Sequence, residues 1–124
     1  NVKNQTLDTT FEIRDYITVD NNFFNIFEKH LSTMHILMGE NGSISFQNKL
    51  NSTMLKIFDI TFSLLSLKLD NIEKDLLLNF QSASFISILY YWTEHPELKV
   101  NQILPLYIKI ISNGIVNFVK DNMQ

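Results

Sequence analysis

Three histidines carry the most versatile chemistry available to this chain, and their spacing decides what they can do. His30, His35 and His95 include no pair at i, i+4, the spacing that sets two metal ligands on one helix face, and no His-Glu-x-x-His run occurs. Glu28 precedes His35 by seven positions and shares its helical face, but two ligands do not complete a site. His35, among methionines and phenylalanines, reads as a partly buried polar residue or a pocket residue. His95 closes a helix, where an imidazole favours the last carbonyls. The many serines lack a Gly-x-Ser-x-Gly elbow and a neighbouring base. Asn41-Gly42-Ser43 is a turn before a helix, not a phosphate-cradling loop. Glu73, Asp75, Glu94 and Glu97 fall at helix ends, where capping and solubility explain them. No catalytic residue, metal ligand or cofactor site is expected, and the chain does not read as an enzyme.

What remains is apolar. Met34, Met38, Met54, Phe24, Phe27, Phe58 and Phe62 recur at helical spacing on two segments joined by one turn. Such residues usually form ordinary core, but flexible thioethers and rings also line cavities for small apolar ligands.

The positioning elements follow from periodicity. The chain has 124 residues, 45% of them hydrophobic and 12% aromatic, with two prolines, three glycines and no cysteine. That composition fits one folded helical domain over 1–124 and not a disordered chain. The absence of thiols fits a cytoplasmic setting. A net charge of −3 with scattered lysines offers no nucleic-acid-binding face. Residues 1–6 are polar; Thr6 or Asp8 is expected to cap a short helix carrying Leu7, Phe11, Tyr16 and Ile17. Asp20-Asn21-Asn22 reads as the cap of a second helix through Phe23, Phe27, Leu31, Met34 and Met38. Gly39 to Gly42 stops it. Ser43 or Ser45 caps the next helix, with its stripe at Phe46, Leu50, Met54, Ile57, Phe58, Thr61 and Leu64.

The stretch from Leu69 to Lys120 organises the rest: two long helices joined by the turn His95 to Val100. In the first, capped by Asp70 or Asn71, residues Leu69, Ile72, Leu76, Phe80, Ala83, Ser87 and Tyr90 share one face. Leu77, Ser84, Ile88 and Tyr91 fill the face beside it. The second, capped by Asn101, keeps only Lys109, Asn113, Asn117 and Lys120 as a polar stripe, and Gly114 within it suggests close helix packing. Both are more apolar than a small monomer can cover. The run 103–119 is interrupted by Pro105, Lys109, Asn113 and Asn117 and falls short of about 20 uncharged residues, so no membrane span is expected. The fold class is therefore all-α, a bundle of about five helices with short connections.

These segments also resemble a known family. A helix ending Leu37-Met38-Gly39-Glu40-Asn41-Gly42 leads to Phe46 and Lys49-Leu50. Ser82-Ala83-Ser84-Phe85-Ile86-Ser87-Ile88-Leu89-Tyr90-Tyr91-Trp92-Thr93-Glu94 then leads through a short loop to a final helix. Over residues 23–120 this order is similar to the C-terminal domain of TetR-family transcriptional regulators of the Firmicutes type. Ser84 and Ser87 stand where relatives often carry glycine. The resemblance implies a homodimer in which the last two helices of each copy build a four-helix interface, with Ser84, Ser87, Tyr91, Ile110, Gly114 and Phe118 as candidates. It implies an effector pocket for a small apolar ligand, with Phe27, Met34, His35, Met38, Met54, Phe58 and Tyr90 as candidate lining. It further implies DNA contact only through an N-terminal helix-turn-helix domain absent from this chain, which starts at Asn1 without methionine and reads as a fragment. A helical adaptor that binds a partner protein is the alternative.

Overall fold

The computed structural model describes residues 13–123, with side chains described from residue 21 onward. Among these residues the architecture is all-α: α1 (Ile13–Glu28), α2 (Leu31–Met38), α3 (Ile44–Leu64), α4 (Asn71–Glu94) and α5 (Val100–Asp121). The expected caps at Thr6 and Asp8 lie outside the described residues.

The first boundary differs from the sequence expectation. α1 runs straight through Asp20-Asn21-Asn22, and the break comes at Lys29 and His30 instead. Capping residues inside a helix cost only about 0.7 kcal/mol or less each, and apolar packing on both sides outweighs that. Asn25 there bonds back to the carbonyl of Asn21 at 3.0 Å. At the break, the amides of Lys29 and His30 reach only three residues back, to Ile26 and Phe27. This tight turn holds Phe24 and Phe27 against α4 and α5, while Met38 of α2 joins Met54 and Phe58 of α3 in the same core.

Gly39 ends α2 in an extended conformation rather than a left-handed one. Its exposed carbonyl and that of Met38 are taken up by the Gln47 side-chain amide at 3.2 and 3.4 Å. Gly42 then has to be glycine, since a Cβ there would sit 2.2 Å from the Leu37 carbonyl oxygen. Ser43 caps α3 by accepting from the Phe46 amide. Asp70 caps α4 in a full capping box with Glu73, at 2.8 and 3.0 Å. α5 starts one residue ahead of the expected cap: the Lys99 amide donates to the Gln102 side chain at 2.8 Å.

The core is aromatic. Trp92, Phe24, Phe85 and Leu89 are fully enclosed. Phe24 stacks on Trp92 and Tyr107 at 5.5 and 5.7 Å, and Phe85 meets Phe58 and Tyr107 edge-on. Trp92 donates its indole N–H to the Leu98 carbonyl at 2.9 Å, which ties the α4–α5 turn to the core. Gln81 is buried too and donates to the Tyr107 hydroxyl, so α4 and α5 are joined by a polar link inside an apolar interior.

α5 is a broken helix. Gly114 sits at φ 76°, ψ 159°, a region that only glycine enters readily. Fourteen residues, Val100 to Asn113, precede the kink. Within one copy nothing packs closely on Gly114, since a Cβ there would meet nothing within 4 Å. Its role is the bend. Lys109 ahead of the bend lies 6.0 Å over the Phe118 ring beyond it.

Candidate dimerisation face and ligand groove

α4 is the central helix, and its two sides have opposite characters. Gln81, Ser82, Phe85, Leu89, Trp92 and Thr93 face the core. The most regular apolar stripe of the sequence lies on the opposite side. Ile72, Leu76 and Phe80 are 79%, 70% and 61% exposed, and Ala83 and Ser87 continue the line at steps of three and four. This long exposed apolar stripe has its small residues toward the helix C-terminal half. It borders an open hollow of about 720 Å³, edged by Ile72, Leu76 and the Asp59–Lys74 ion pair at 3.2 Å. That pair is half-exposed on both sides and adds at most about 1 kcal/mol.

A second apolar surface opens between α4 and α5. Ile88, Tyr91, Leu98, Ile103, Leu106 and Ile110 enclose about 250 Å³ there. Of the six dimer candidates, Tyr91 and Ile110 meet at this groove. Ser84 is half-buried beside it, with its hydroxyl bonded to the Gln81 carbonyl at 3.0 Å. Ser87 lies on the outward stripe. Gly114 and Phe118 sit at and beyond the bend. Ser84, Ser87 and Tyr91 fall on one side of α4, and Ile110, Gly114 and Phe118 follow one another at steps of four along α5. Leu76, Phe80 and Leu106, three of the exposed large apolar groups, were not among the six, although the period of three and four already aligned Leu76 and Phe80.

A third recess, about 370 Å³, lies where α2 and α3 meet α4. Its walls are Met38, Leu50, Ala83 and Ile86, with Gln47, Asn51, Ser87 and Tyr90 as polar positions. Of the seven candidate ligand residues, Met38 and Tyr90 line it. Phe27, Met54 and Phe58 are buried in the core, and Met34 packs against that core half-exposed. His35 is exposed; its Nδ1 lies 3.3 Å from the Thr93 hydroxyl and its ring stacks on Tyr90 at 6.4 Å. Glu28 and His35 take different partners: the Glu28 carboxylate accepts from the Val100 amide at 3.1 Å, while His35 meets Thr93. Gln47 and Asn51 carried no sequence signal, since polar residues on a groove wall have no period to mark them.

The Glu94 carboxylate holds the Tyr90 hydroxyl above its ordinary pKa, chiefly by charge repulsion of the phenolate, with smaller effects from burial, a hydrogen bond to Glu94 and Glu40. His95 Nδ1 lies 2.9 Å from the Tyr91 carbonyl oxygen and its ring stacks on Tyr91 at 4.1 Å. Among the described residues no three His, Asp or Glu side chains gather as a metal site.

Among the described residues one helix, Val100–Asp121, is long and apolar enough by length and composition to cross a membrane. The bend at Gly114 divides it, and the fourteen residues ahead of it reach only about 21 Å against the roughly 30 Å of a bilayer core. Ile103, Leu104 and Tyr107 are moreover buried in the bundle.

The family model described as the transcriptional regulator C-terminal region, of TetR type, matches residues 21–114. The match begins within α1 and ends at the glycine of the bend. No curated protein and no solved structure matches the chain.

Proposed function

Because the chain belongs to the TetR-type transcriptional regulator C-terminal family, we propose that it is the dimerisation and effector-responsive domain of a transcriptional repressor. The observation that carries this reading is the outward face of α4, where Ile72, Leu76 and Phe80 stand exposed in register. A second copy supplies the apolar cover they lack, and the groove at Tyr91, Leu106 and Ile110 extends the contact onto α5. Each copy contributes α4 and α5, so four helices meet about a two-fold axis.

On this reading the protein is cytoplasmic, performs no catalysis and needs no membrane. It meets DNA only through a helix-turn-helix unit outside these 124 residues. Two such units must sit about one helical turn apart to read paired half-sites. The dimer sets that separation. An effector then weakens DNA binding only as far as it prefers the non-binding arrangement of the dimer.

The chain contains no cysteine, which makes the test direct. Single cysteines placed at Ile72, Leu76, Phe80, Ala83 and Ser87 should include positions that cross-link two copies under mild oxidation, because residues near a two-fold axis meet their own counterparts. A cysteine at Asn48, exposed on α3, should not cross-link. Equal cross-linking at all six positions would reject the face.

A further inference from the structure

The recess between α2, α3 and α4 shares a wall with the outward stripe. Ala83 and Ser87 are exposed, lie one and two turns beyond Phe80 on the same face, and line the recess. A helix from a second copy laid along Ile72, Leu76 and Phe80 would reach these two residues within about 10 Å of axial distance. We infer that this recess is a binding site for an uncharged amphipathic small molecule, and that the second copy closes its open side. The inference rests on the dimer reading for its second half only.

The lining names the ligand class. At about 370 Å³ the recess has the size of a small-ligand site. Met38, Leu50, Ala83 and Ile86 offer an apolar bed, while Gln47, Asn51, Ser87 and Tyr90 offer neutral hydrogen-bonding groups. No Lys, Arg, Asp or Glu lines it, so a charged ligand would lose its hydration with no counter-ion in return. The carboxylates of Glu94 and Glu40 act at the Tyr90 hydroxyl and add a further penalty for anions. Gln47 is already committed to the carbonyls that end α2, so occupancy of the recess is coupled to the α2–α3 turn. The ligand is thus a neutral molecule with a ring or short aliphatic body and at least one hydroxyl, carbonyl or amide. The core that the sequence pointed to as a pocket is filled by Phe27, Met54 and Phe58. The recess is beside the core, not within it.

The experiment uses two fluorescent probes with the same aromatic body, neutral N-phenyl-1-naphthylamine and anionic 8-anilinonaphthalene-1-sulfonate, titrated into the protein with its solution mass recorded. The neutral probe should saturate at one per protomer and bind at least tenfold more tightly than the anion. Asn51→Trp fills the recess from an exposed α3 position away from the stripe, and should weaken the neutral probe at least tenfold with mass and helicity unchanged. Leu76→Glu, on the stripe but outside the recess, should halve the mass and weaken the probe several-fold. Equal binding of the two probes, or parental binding by Asn51→Trp, overturns the site. A halved mass with parental probe affinity overturns the closing role of the second copy alone. A parent protein already monomeric overturns the dimer reading, while the Asn51→Trp comparison still decides the recess.

Discussion

Glu28, the last residue of α1, accepts a hydrogen bond from the backbone N–H of Val100, the first residue of α5, at 3.1 Å. The first amides of a helix have no partner within it, and here one of them is satisfied from across the bundle. The bond fixes where α5 begins, and hence where Tyr107 meets Phe24. Replacing Glu28 by alanine should cost about 1 kcal/mol, the usual worth of a helix cap, while glutamine, which keeps the acceptor oxygen, should restore most of it. Urea melts of the two variants check this; equal stability of parent and alanine variant would show that the cap contributes nothing.

Trp92 ties together the other end of the same region. Its ring is enclosed by Phe24 and Phe27, and its N–H holds the Leu98 carbonyl. Trp92→Phe should cost about 2 kcal/mol, through the volume lost and the carbonyl left without its donor. Chemical denaturation followed by circular dichroism measures it, and a loss below about 0.5 kcal/mol would mean the site relaxes around the smaller ring.

The bend at Gly114 gives a prediction of unusual direction. Alanine held at that backbone conformation would cost about 1–3 kcal/mol. A straight helix instead gains about 1 kcal/mol from replacing glycine. Gly114→Ala should therefore straighten α5 and deepen the helical signal at 222 nm. A weaker helical signal in this variant would show that the bend is enforced by its surroundings.

Tyr90 has a pH signature. Its hydroxyl pKa is raised from the ordinary 10.0, first by the Glu94 charge. In the unfolded chain Tyr90 ionises first as pH rises, so its contribution to stability is complete below about pH 10 and is lost above it, up through the raised folded value. Glu94→Gln should lower the Tyr90 titration midpoint toward the ordinary value, as read by tyrosinate absorbance against a Tyr90→Phe blank. An unmoved midpoint would remove Glu94 as the cause.

Much of this fold was legible from period and caps. The pairs Ser43 or Ser45 and Asp70 or Asn71 announced two helix starts, of which Ser43 and Asp70 are the caps, and the Pro96 turn announced the α4–α5 connection. The stripe from Ile72 to Ser87 was legible as a line, but not as the outward face. Its leucines and phenylalanine look more like core than the actual core face, which carries Gln81, Ser82 and Thr93. Gln81 and Thr93 are tolerated inside because they bond to the Tyr107 hydroxyl and the Tyr90 carbonyl, while the small Ser82 hydroxyl is buried without a hydrogen-bond partner among the described residues. The break at Lys29 and His30 was hidden because no glycine or proline marks it; tertiary packing of Phe27 and Glu28 sets it. The recess escaped notice because its polar wall comes from α3 and α4, residues far apart in sequence.

The central claim is that a second copy covers the outward face of α4. Light scattering behind a sizing column, over a hundredfold concentration range, measures it on the parent chain and on Leu76→Glu. Leu76 is 70% exposed, so the added carboxylate should leave the fold of one copy intact. A parent mass near twice 14.5 kDa and a Leu76→Glu variant of single mass with unchanged helicity are expected. A parent monomer, or a Leu76→Glu dimer as stable as the parent's, would contradict it.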